Sequence, residues 1–499
     1  MVRQTQSVRA AAVTPMREAL KRLSAESLIY GFGQVSGRAV QLMLVPVLTR
    51  VLARGQYGVS DLVFAYLQTA VMVLVFGMDG ALGRFFYQEP DRAARIRMAS
   101  TSLAFRLVTG TLVALLLAFF ATPLSRALVG SDVYRWVLLL GAVTLPFTLV
   151  VLFANDLLRI TFQPWKFIAL NLAQTILTAG FSLWLVLAKH MVVAGVLYGR
   201  LAGDAACALF ALVLIRHTIA PRFSAATLRR MLGYGAPLVP VAIAYGVITS
   251  LDRYLLQSTR SLEDVAVYGV AIKFFALVTL AVSAFQLAYG PFAFARASSP
   301  DAGRLYARVL AAYVAAASLA AMLAGLFAPE TLAVLVPTAY AGAAGPAAFL
   351  AFAAVAQGAY SVVSIGIGLA LRTPLLGWSA GGAAVMAAVA NLVLAPRLGP
   401  LGAGIATTLG YVTSAVLTYL VAQRVHPVPF RGARLTIVFA LALALTVAGQ
   451  RLVPPGGGGV VVKVLIALAF AATVWRLGLL RDRGAVARAK AVREVPAGT

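Results

Sequence analysis

One face of the first apolar stretch carries side chains that could bind a charged, hydroxyl-rich molecule. Its members, spaced by four, four and three residues, are Tyr30, Gln34, Arg38 and Gln41. That spacing places them on one side of an α-helix. A guanidinium group binds phosphate through two parallel hydrogen bonds, and amide and phenol groups bond to hydroxyls. The pattern therefore predicts a polar face that points away from lipid, into a polar cavity.

Two further cations lie within apolar stretches in the second half of the chain. A charged side chain at the centre of a bilayer costs about 2.5–3.5 kcal/mol on insertion scales, so such residues usually face the interior of a helix bundle. Lys273 is therefore predicted to be a second cation in a central cavity, with partial extension toward the interface as the alternative. For Arg253 two interpretations stay open: a rim salt bridge with Asp252 or Asp264, and a contact in the cavity.

Acidic residues are few, 16 against 42 lysines and arginines. Asp204 follows Arg200 by one helical turn, a spacing that favours a structural ion pair. Asp204 and Asp79 are also the candidates for coupling to a proton or Na⁺. Arg106 lies a few residues inside an apolar stretch, and we expect it to extend to the cytoplasmic interface.

The composition indicates an integral membrane protein. Of the 499 residues 61% are hydrophobic and 12% are charged, whereas soluble proteins have about 25% charged residues. The net charge of +26 is explained by basic loops at the anionic cytoplasmic face, so we expect membrane lipids and no nucleic acid as partners. The single cysteine, Cys207, and three histidines without metal-ligand spacing predict no disulfide, no metal site and no cofactor.

The elements that must position these side chains are transmembrane helices, because the apolar runs are too long for barrel strands. We predict an all-α polytopic membrane protein with about fourteen spans. The spans are 27–47, 62–82, 103–123, 135–155, 165–188, 192–215, 235–257, 265–290, 306–328, 346–370, 376–395, 401–422, 434–453 and 460–480. Most Lys and Arg residues fall in loops on one side, which places both termini in the cytoplasm.

An internal repeat divides these spans into two lobes. The segments "LTRVLARGQYG" (48–58) and "LDRYLLQSTRSLEDVAVYG" (251–269) both join a Leu-x-Arg to a Tyr-Gly at the start of the next span. Repeats that run in the same direction are related by a two-fold axis along the membrane normal. The predicted parts are a cytoplasmic tail with an amphipathic helix (1–26), the N-lobe (27–215), a cytoplasmic inter-lobe loop (216–234), the C-lobe (235–422), two further helices (423–480) and a basic cytoplasmic tail (481–499).

The same residues carry a family resemblance. The segments "PVLTRVLARGQYGVSDL", "GMDGALGRFFYQ" and "LDRYLLQSTRSLEDVAVYGVAIKFFAL" resemble the polysaccharide (O-unit) flippases of the MOP exporter superfamily, relatives of lipid II flippases and of MATE exporters. The resemblance implies movement of a lipid-linked oligosaccharide from the inner to the outer leaflet of the cytoplasmic membrane. It also implies alternating access of the two lobes, and it makes a polysaccharide polymerase and glycosyltransferases candidate partners.

Within that resemblance, the cationic residues are predicted to contact the substrate's pyrophosphate, and the amide and phenol groups its sugars. The alternatives are a lipid II flippase and a cation-coupled multidrug exporter. A multidrug exporter needs membrane-embedded carboxylates, yet the first span carries Arg38 and no acid. A membrane enzyme is the third alternative, but the loops are too short for a catalytic domain, and we predict that the protein is not an enzyme.

Overall fold

The computed structural model describes residues 42–295, 299, 301–370, 374–430, 432–454 and 456–476, and all regular structure within them is helical. The helices are α1 (Leu42–Val51), α2 (Arg54–Leu74), α3 (Met78–Gln88), α4 (Arg92–Phe119), α5 (Ala121–Val129), α6 (Arg135–Ile160), α7 (Pro164–Leu187), α8 (Val192–Ile215), α9 (Ala225–Gly235), α10 (Val239–Thr259), α11 (Leu262–Ala295), α12 (Ala302–Leu326), α13 (Ala328–Leu335), α14 (Ala344–Val363), α15 (Ile365–Leu369), α16 (Pro374–Leu398), α17 (Pro400–Val425), α18 (Gly432–Leu452) and α19 (Gly457–Arg476). Short 3₁₀ turns occupy Asp132–Tyr134, Ala236–Leu238 and Thr338–Ala343.

The helical class and the membrane-spanning character predicted from the sequence are confirmed. Eleven helical segments of the described residues are long and apolar enough to cross a membrane, or twelve if α11, which bends by 42°, is one span. Most of the first predicted span lies outside the described residues, so the count of fourteen stays a prediction. Helices suit this setting because each satisfies its own backbone hydrogen bonds where no water is present.

Local signals in the sequence explain where several helices begin and end. The Asp91 carboxylate accepts hydrogen bonds from the Ala93 and Ala94 amides at the start of α4, and the Ser224 hydroxyl accepts one from Thr227 at the start of α9. Both satisfy backbone donors that the first helical turn leaves free. Gly130 ends α5 with a positive φ of 81°, a conformation that glycine adopts without strain.

The helices pack in two groups joined by α2. In the first half of the chain, α4, α7 and α8 pack around α6; in the second half, α10, α11, α12, α14, α16 and α17 form the other group. Helix α2 contacts α6 and α8 of the first group and α10 and α11 of the second. Helices α18 and α19 pack on the outside of α12 and α14. The predicted lobe boundaries stay a prediction, and the terminal tails lie outside the described residues.

The segment predicted as an inter-lobe loop contains a helix that docks on the first half. Helix α9 crosses the break between α2 and α3, where Phe76 and Gly77 have φ values of 52° and 65°. A Cβ atom on Gly77 would lie 2.6 Å from the backbone oxygen of Gly235, so only two glycines allow this crossing. Next to it, the Arg230 guanidinium lies 4.4 Å from the centre of the Phe85 ring, a cation–π contact.

Candidate functional site

We call the end of the bundle where α2 begins and α10 ends the outer end, after its predicted orientation. Three charged side chains meet there in what we call the outer ion cluster: Asp61 of α2, Arg253 of α10 and Lys273 of α11. The Arg253 Nε lies 2.9 Å from Asp61 Oδ2, and the Lys273 Nζ lies 3.0 Å from Asp61 Oδ1. A single carboxylate from the first half of the chain thus holds two cations from the second half.

The outer ion cluster is largely buried, and Lys273 is its most exposed member. The side chains of Asp61 and Arg253 are 4% and 9% exposed, whereas that of Lys273 is 33% exposed. Breaking a buried pair is costly because it leaves an unpaired charge in an apolar surrounding. Lys273 is therefore the member through which a ligand could reach the cluster.

A second carboxylate holds Arg253 from its own half. Asp252 lies 3.7 Å from the Arg253 Nη1, and its Oδ1 accepts a hydrogen bond from the Arg253 backbone amide. The Asp252 Oδ2 accepts hydrogen bonds from the hydroxyls of Tyr268, at 2.6 Å, and Thr407, at 3.3 Å. Asp252 is thereby fixed within the second half, and the four charged groups sum to zero.

The structure brings together two of the predicted site residues, Lys273 and Arg253, and pairs both with Asp61. The rim salt bridge between Arg253 and Asp252 is present, whereas Asp264 pairs with Arg260 instead. The other predicted contacts, Tyr30, Gln34, Arg38 and Gln41, lie outside the described residues. Substrate contact by any of these side chains stays a prediction.

The repeated Tyr-Gly elements explain how the halves approach at this end. A Cβ atom on Gly58 would overlap the backbone oxygen of Leu262, and one on Gly269 would lie 2.8 Å from the Asp61 carboxyl carbon. Each glycine thus removes a side chain where α2 and α11 touch. The repeat found in the sequence thus supplies a close contact between the two halves.

Hydrogen bonds along the rim of the outer end also join the two halves. The Arg50 Nη1 donates to the Leu335 carbonyl at 3.0 Å, and the Arg54 Nη1 donates to the Ala339 carbonyl at 3.3 Å. Leu335 is the last residue of α13, where carbonyl groups lack helical partners and attract cations. These contacts close the rim above the outer ion cluster.

A cavity of about 390 Å³ lies between α2 and α10 on the inner side of the rim. Its walls are mostly Val, Leu and Ile side chains, with Tyr66 and Tyr254 among them. Two polar groups in the wall, the hydroxyls of Thr69 and Ser250, satisfy each other at 2.6 Å. The cavity therefore suits an apolar chain, and its α10 wall, which includes Ser250 and Tyr254, belongs to the same turns that carry Arg253.

The candidates for ion coupling occupy two different environments. The Asp204 carboxylate is buried and accepts hydrogen bonds from Thr148 and Gln174, with the Arg200 Nε at 3.5 Å. This confirms the predicted pair with Arg200, and the two further donors engage both oxygens of the carboxylate. Asp79 is exposed in the first turn of α3, where a negative charge complements the helix dipole.

The expectation that Arg106 extends to the interface is wrong. Its side chain is fully buried, and both terminal nitrogens contact Asp156 Oδ2, at 3.1 and 3.0 Å. The exposed Arg159 also reaches the other oxygen of Asp156. Arg106 stays inside because a carboxylate fifty residues away compensates its charge, and helical spacing gives no sign of such a partner.

Comparison with known proteins adds a family and a fold. Residues 47–344, more than half of the chain, match the family described as "Polysaccharide biosynthesis protein". The "Lsg locus putative protein 1" of Haemophilus influenzae is 21% identical over 273 residues, which are 54% of this chain and 65% of that relative. The chain thus spans just under two thirds of this relative's length.

Two solved structures share the architecture. The lipid II flippase MurJ in an inward closed conformation superposes with a TM-score of 0.72 at 11% identity, covering 90% of this chain and 99% of that one. An inward-facing multidrug resistance MATE family transporter of the MOP superfamily gives 0.59 at 15% identity, covering 80% and 96%. At these identities the likeness shows the fold. The chain therefore belongs to the polysaccharide biosynthesis protein family, and it is a multi-pass membrane protein that shares the fold of these two solved structures.

Proposed function

We propose that this protein is a flippase that moves a lipid-linked, pyrophosphate-bearing oligosaccharide from the inner to the outer leaflet of the cytoplasmic membrane. The family supports a role in polysaccharide synthesis, and the fold supports transport rather than catalysis. Both termini then lie in the cytoplasm, and the outer end of the bundle faces away from it. Polysaccharide polymerases and glycosyltransferases are the partners that such a reaction sequence requires.

One observation carries the proposal about the substrate: an apolar cavity lies beside the outer ion cluster, where two cations of the second half meet a carboxylate of the first. The cavity of about 390 Å³ offers space for part of an isoprenoid chain. Arg253 and Lys273 are suited to the phosphate groups next to that chain. An amphiphile with an apolar tail, an anionic linker and a hydroxyl-rich head matches the order of an apolar cavity followed by two cations.

The proposed mechanism is alternating access, in which the two halves rock about the central site. In the present structure α2 closes against α10 and α11 at the outer end. Release to the outer leaflet therefore requires that the ion pairs of Asp61 break and that the rim bonds of Arg50 and Arg54 open. Arg38, with Gln34, Gln41 and Tyr30, is proposed to hold the head group from the first half.

Reconstituted vesicles test this function directly. Purified protein in liposomes is given a fluorescent polyprenyl-pyrophosphate oligosaccharide, and an impermeant reductant then bleaches the probe in the outer leaflet. We expect the bleached fraction to rise from about half toward completion, with a fluorescent phospholipid as the control that stays at half. Equal bleaching of the phospholipid would show unspecific lipid scrambling and would contradict the proposal.

The same vesicles separate the alternatives. Faster movement of fluorescent lipid II than of the oligosaccharide would favour a lipid II flippase. Accumulation of an organic cation driven by a Na⁺ or proton gradient would favour a multidrug exporter. We expect neither; for the organic cation, none of the described residues that line the cavity is acidic, and the nearby Asp61 is already paired with Arg253 and Lys273. Asp204→Asn and Asp79→Asn vesicles, with and without an ion gradient, test whether either carboxylate couples transport to an ion.

A further inference from the structure

The outer ion cluster contains more than a pair of substrate contacts. Of the ion pairs seen between described residues, those that Asp61 makes with Arg253 and Lys273 are the ones that join the two halves of the chain. The remaining pairs, such as Arg106 with Asp156 and Lys463 with Glu330, lie within one half or attach α19 to the second half. Asp61 therefore links the state of the cluster to the separation of the halves.

The Asp61 carboxylate is an anion held between two cations of the second half. Its two oxygens are divided between a guanidinium and an ammonium group, at 2.9 and 3.0 Å. Carboxylate and phosphate are the two anions that such groups bind in proteins, with similar distances. A phosphate that takes the N–H groups now donated to Asp61 competes with this carboxylate for them.

Asp252 cannot compete in the same way, because it is fixed. Its oxygens are engaged by Tyr268, Thr407 and the Arg253 backbone, all within the second half. When the halves separate, Asp252 stays with Arg253, and Asp61 leaves with α2. The second half then keeps two cations and one carboxylate, a net positive site that is open to an anion.

We propose that Arg253 and Lys273 form a pyrophosphate-binding site that Asp61 occupies while the outer end is closed, so that the substrate's anionic linker displaces Asp61 and opens this end. The proposal rests on the proposed function for the identity of the substrate, but the site itself is defined by its anion chemistry. Lys273, the most exposed member, is the first to exchange partners. Displaced Asp61 is a buried, unpaired carboxylate, which favours its hydration and the separation of α2 from α11.

The proposal makes ligand binding and opening reciprocal. Consider an anion that binds only when Asp61 has left the cluster. It shifts the equilibrium between closed and open states toward the open one, because its affinity for the open state is higher. Removing the Asp61 charge does the same without a ligand. We expect Asp61→Asn to raise the affinity for inorganic pyrophosphate by about 5- to 150-fold, the usual range of coupling between sites.

Spin-label distances in the full-length protein test the opening. Labels on cysteines at the exposed positions Val133 and Val334, in a Cys207→Ala background, report the separation of the halves at the outer end. In nanodiscs of phosphatidylcholine, inorganic pyrophosphate should shift the distribution toward longer distances, and Asp61→Asn should show these distances without ligand. Asp156→Asn, which breaks a buried pair within the first half, is the matched control and should keep the short distances.

Three results would overturn the proposal. The first is an Asp61→Asn protein that stays closed or binds pyrophosphate no better than the parent. The second needs no substitution in the cluster. It is a labelled protein with an unsubstituted cluster, in which the spin-label distance at the outer end stays unchanged at saturating pyrophosphate. The third is opening by phosphatidylglycerol alone in mixed nanodiscs, which would assign the site to a lipid head group. None of these measurements uses an oligosaccharide, so a failure of the proposed substrate appears only in the bleaching experiment.

Discussion

At the scale of single residues, charge pairing across helices decides how this protein places ionisable groups in a membrane. Arg106, Arg253 and Lys273 are all tolerated because a carboxylate from another helix lies within about 3 Å. The sequence identified these cations as exceptional, yet it could not reveal their partners. Asp61 precedes Lys273 by 212 positions, and such a pair forms only through the fold.

Asp156→Asn tests the strength of buried pairing. The change leaves the fully buried Arg106 without its carboxylate, and breaking such a pair costs about 3–5 kcal/mol. We expect a clearly lower midpoint of thermal unfolding in detergent, followed by tryptophan fluorescence. Asp132→Asn, which breaks the exposed pair with Arg126, should leave the midpoint unchanged. If both substitutions lowered the midpoint of thermal unfolding by the same amount, burial of the ion pair would not determine its contribution to stability.

Arg38 is the residue for which the sequence alone makes the strongest functional prediction. We expect Arg38→Ala to abolish saccharide export while the protein inserts normally, because the first half then lacks its phosphate contact. Arg38→Lys should retain part of the activity, because lysine keeps the positive charge but lacks the two parallel N–H donors of the guanidinium group. Export assays in cells, with protein amounts measured by immunoblot, decide this. Normal export by Arg38→Ala at normal protein level would remove Arg38 from the site.

At the scale of helices, the lengths of the apolar runs and the internal repeat predict most of the helices. The breaks and close crossings between helices depend on backbone geometry, which the sequence pattern does not reveal. The predicted spans from 62–82 onward each overlap a described helix. The sequence does not predict the break at Phe76 and Gly77 or the docking of α9. Positive φ values and close crossings at glycine have no periodic signature in a sequence. The Tyr-Gly elements were found, but their role as the contact between α2 and α11 required the structure.

Gly58→Ala tests whether that contact is needed for the outer end to close. A methyl group there would overlap the Leu262 backbone oxygen, which cannot move aside as a flexible side chain can. We expect at least a tenfold loss of transport in the vesicle assay and longer outer distances between spin labels. The control is Gly180→Ala on α7, where an added Cβ meets no atom within 4 Å. Unchanged transport by Gly58→Ala would show that the halves need not meet this closely.

At the scale of the whole molecule, two groups of helices close on each other at the outer end through three kinds of contact. These are the ion pairs of Asp61, the glycine approach of α2 and α11, and the rim bonds of Arg50 and Arg54. A closed outer end beside an apolar cavity is the arrangement expected before release to the outer leaflet. The central claim is that this end must open during each transport cycle.

Cross-linking the outer end tests that claim most directly. Cysteines replacing Arg54 and Ala339, in the Cys207→Ala background, are joined by a short cleavable bismaleimide in reconstituted vesicles. We expect movement of the fluorescent lipid-linked oligosaccharide to stop on cross-linking and to return when the linker is cleaved, while the reagent leaves each single-cysteine variant at its own untreated rate. Transport at an unchanged rate with the linker in place would contradict it.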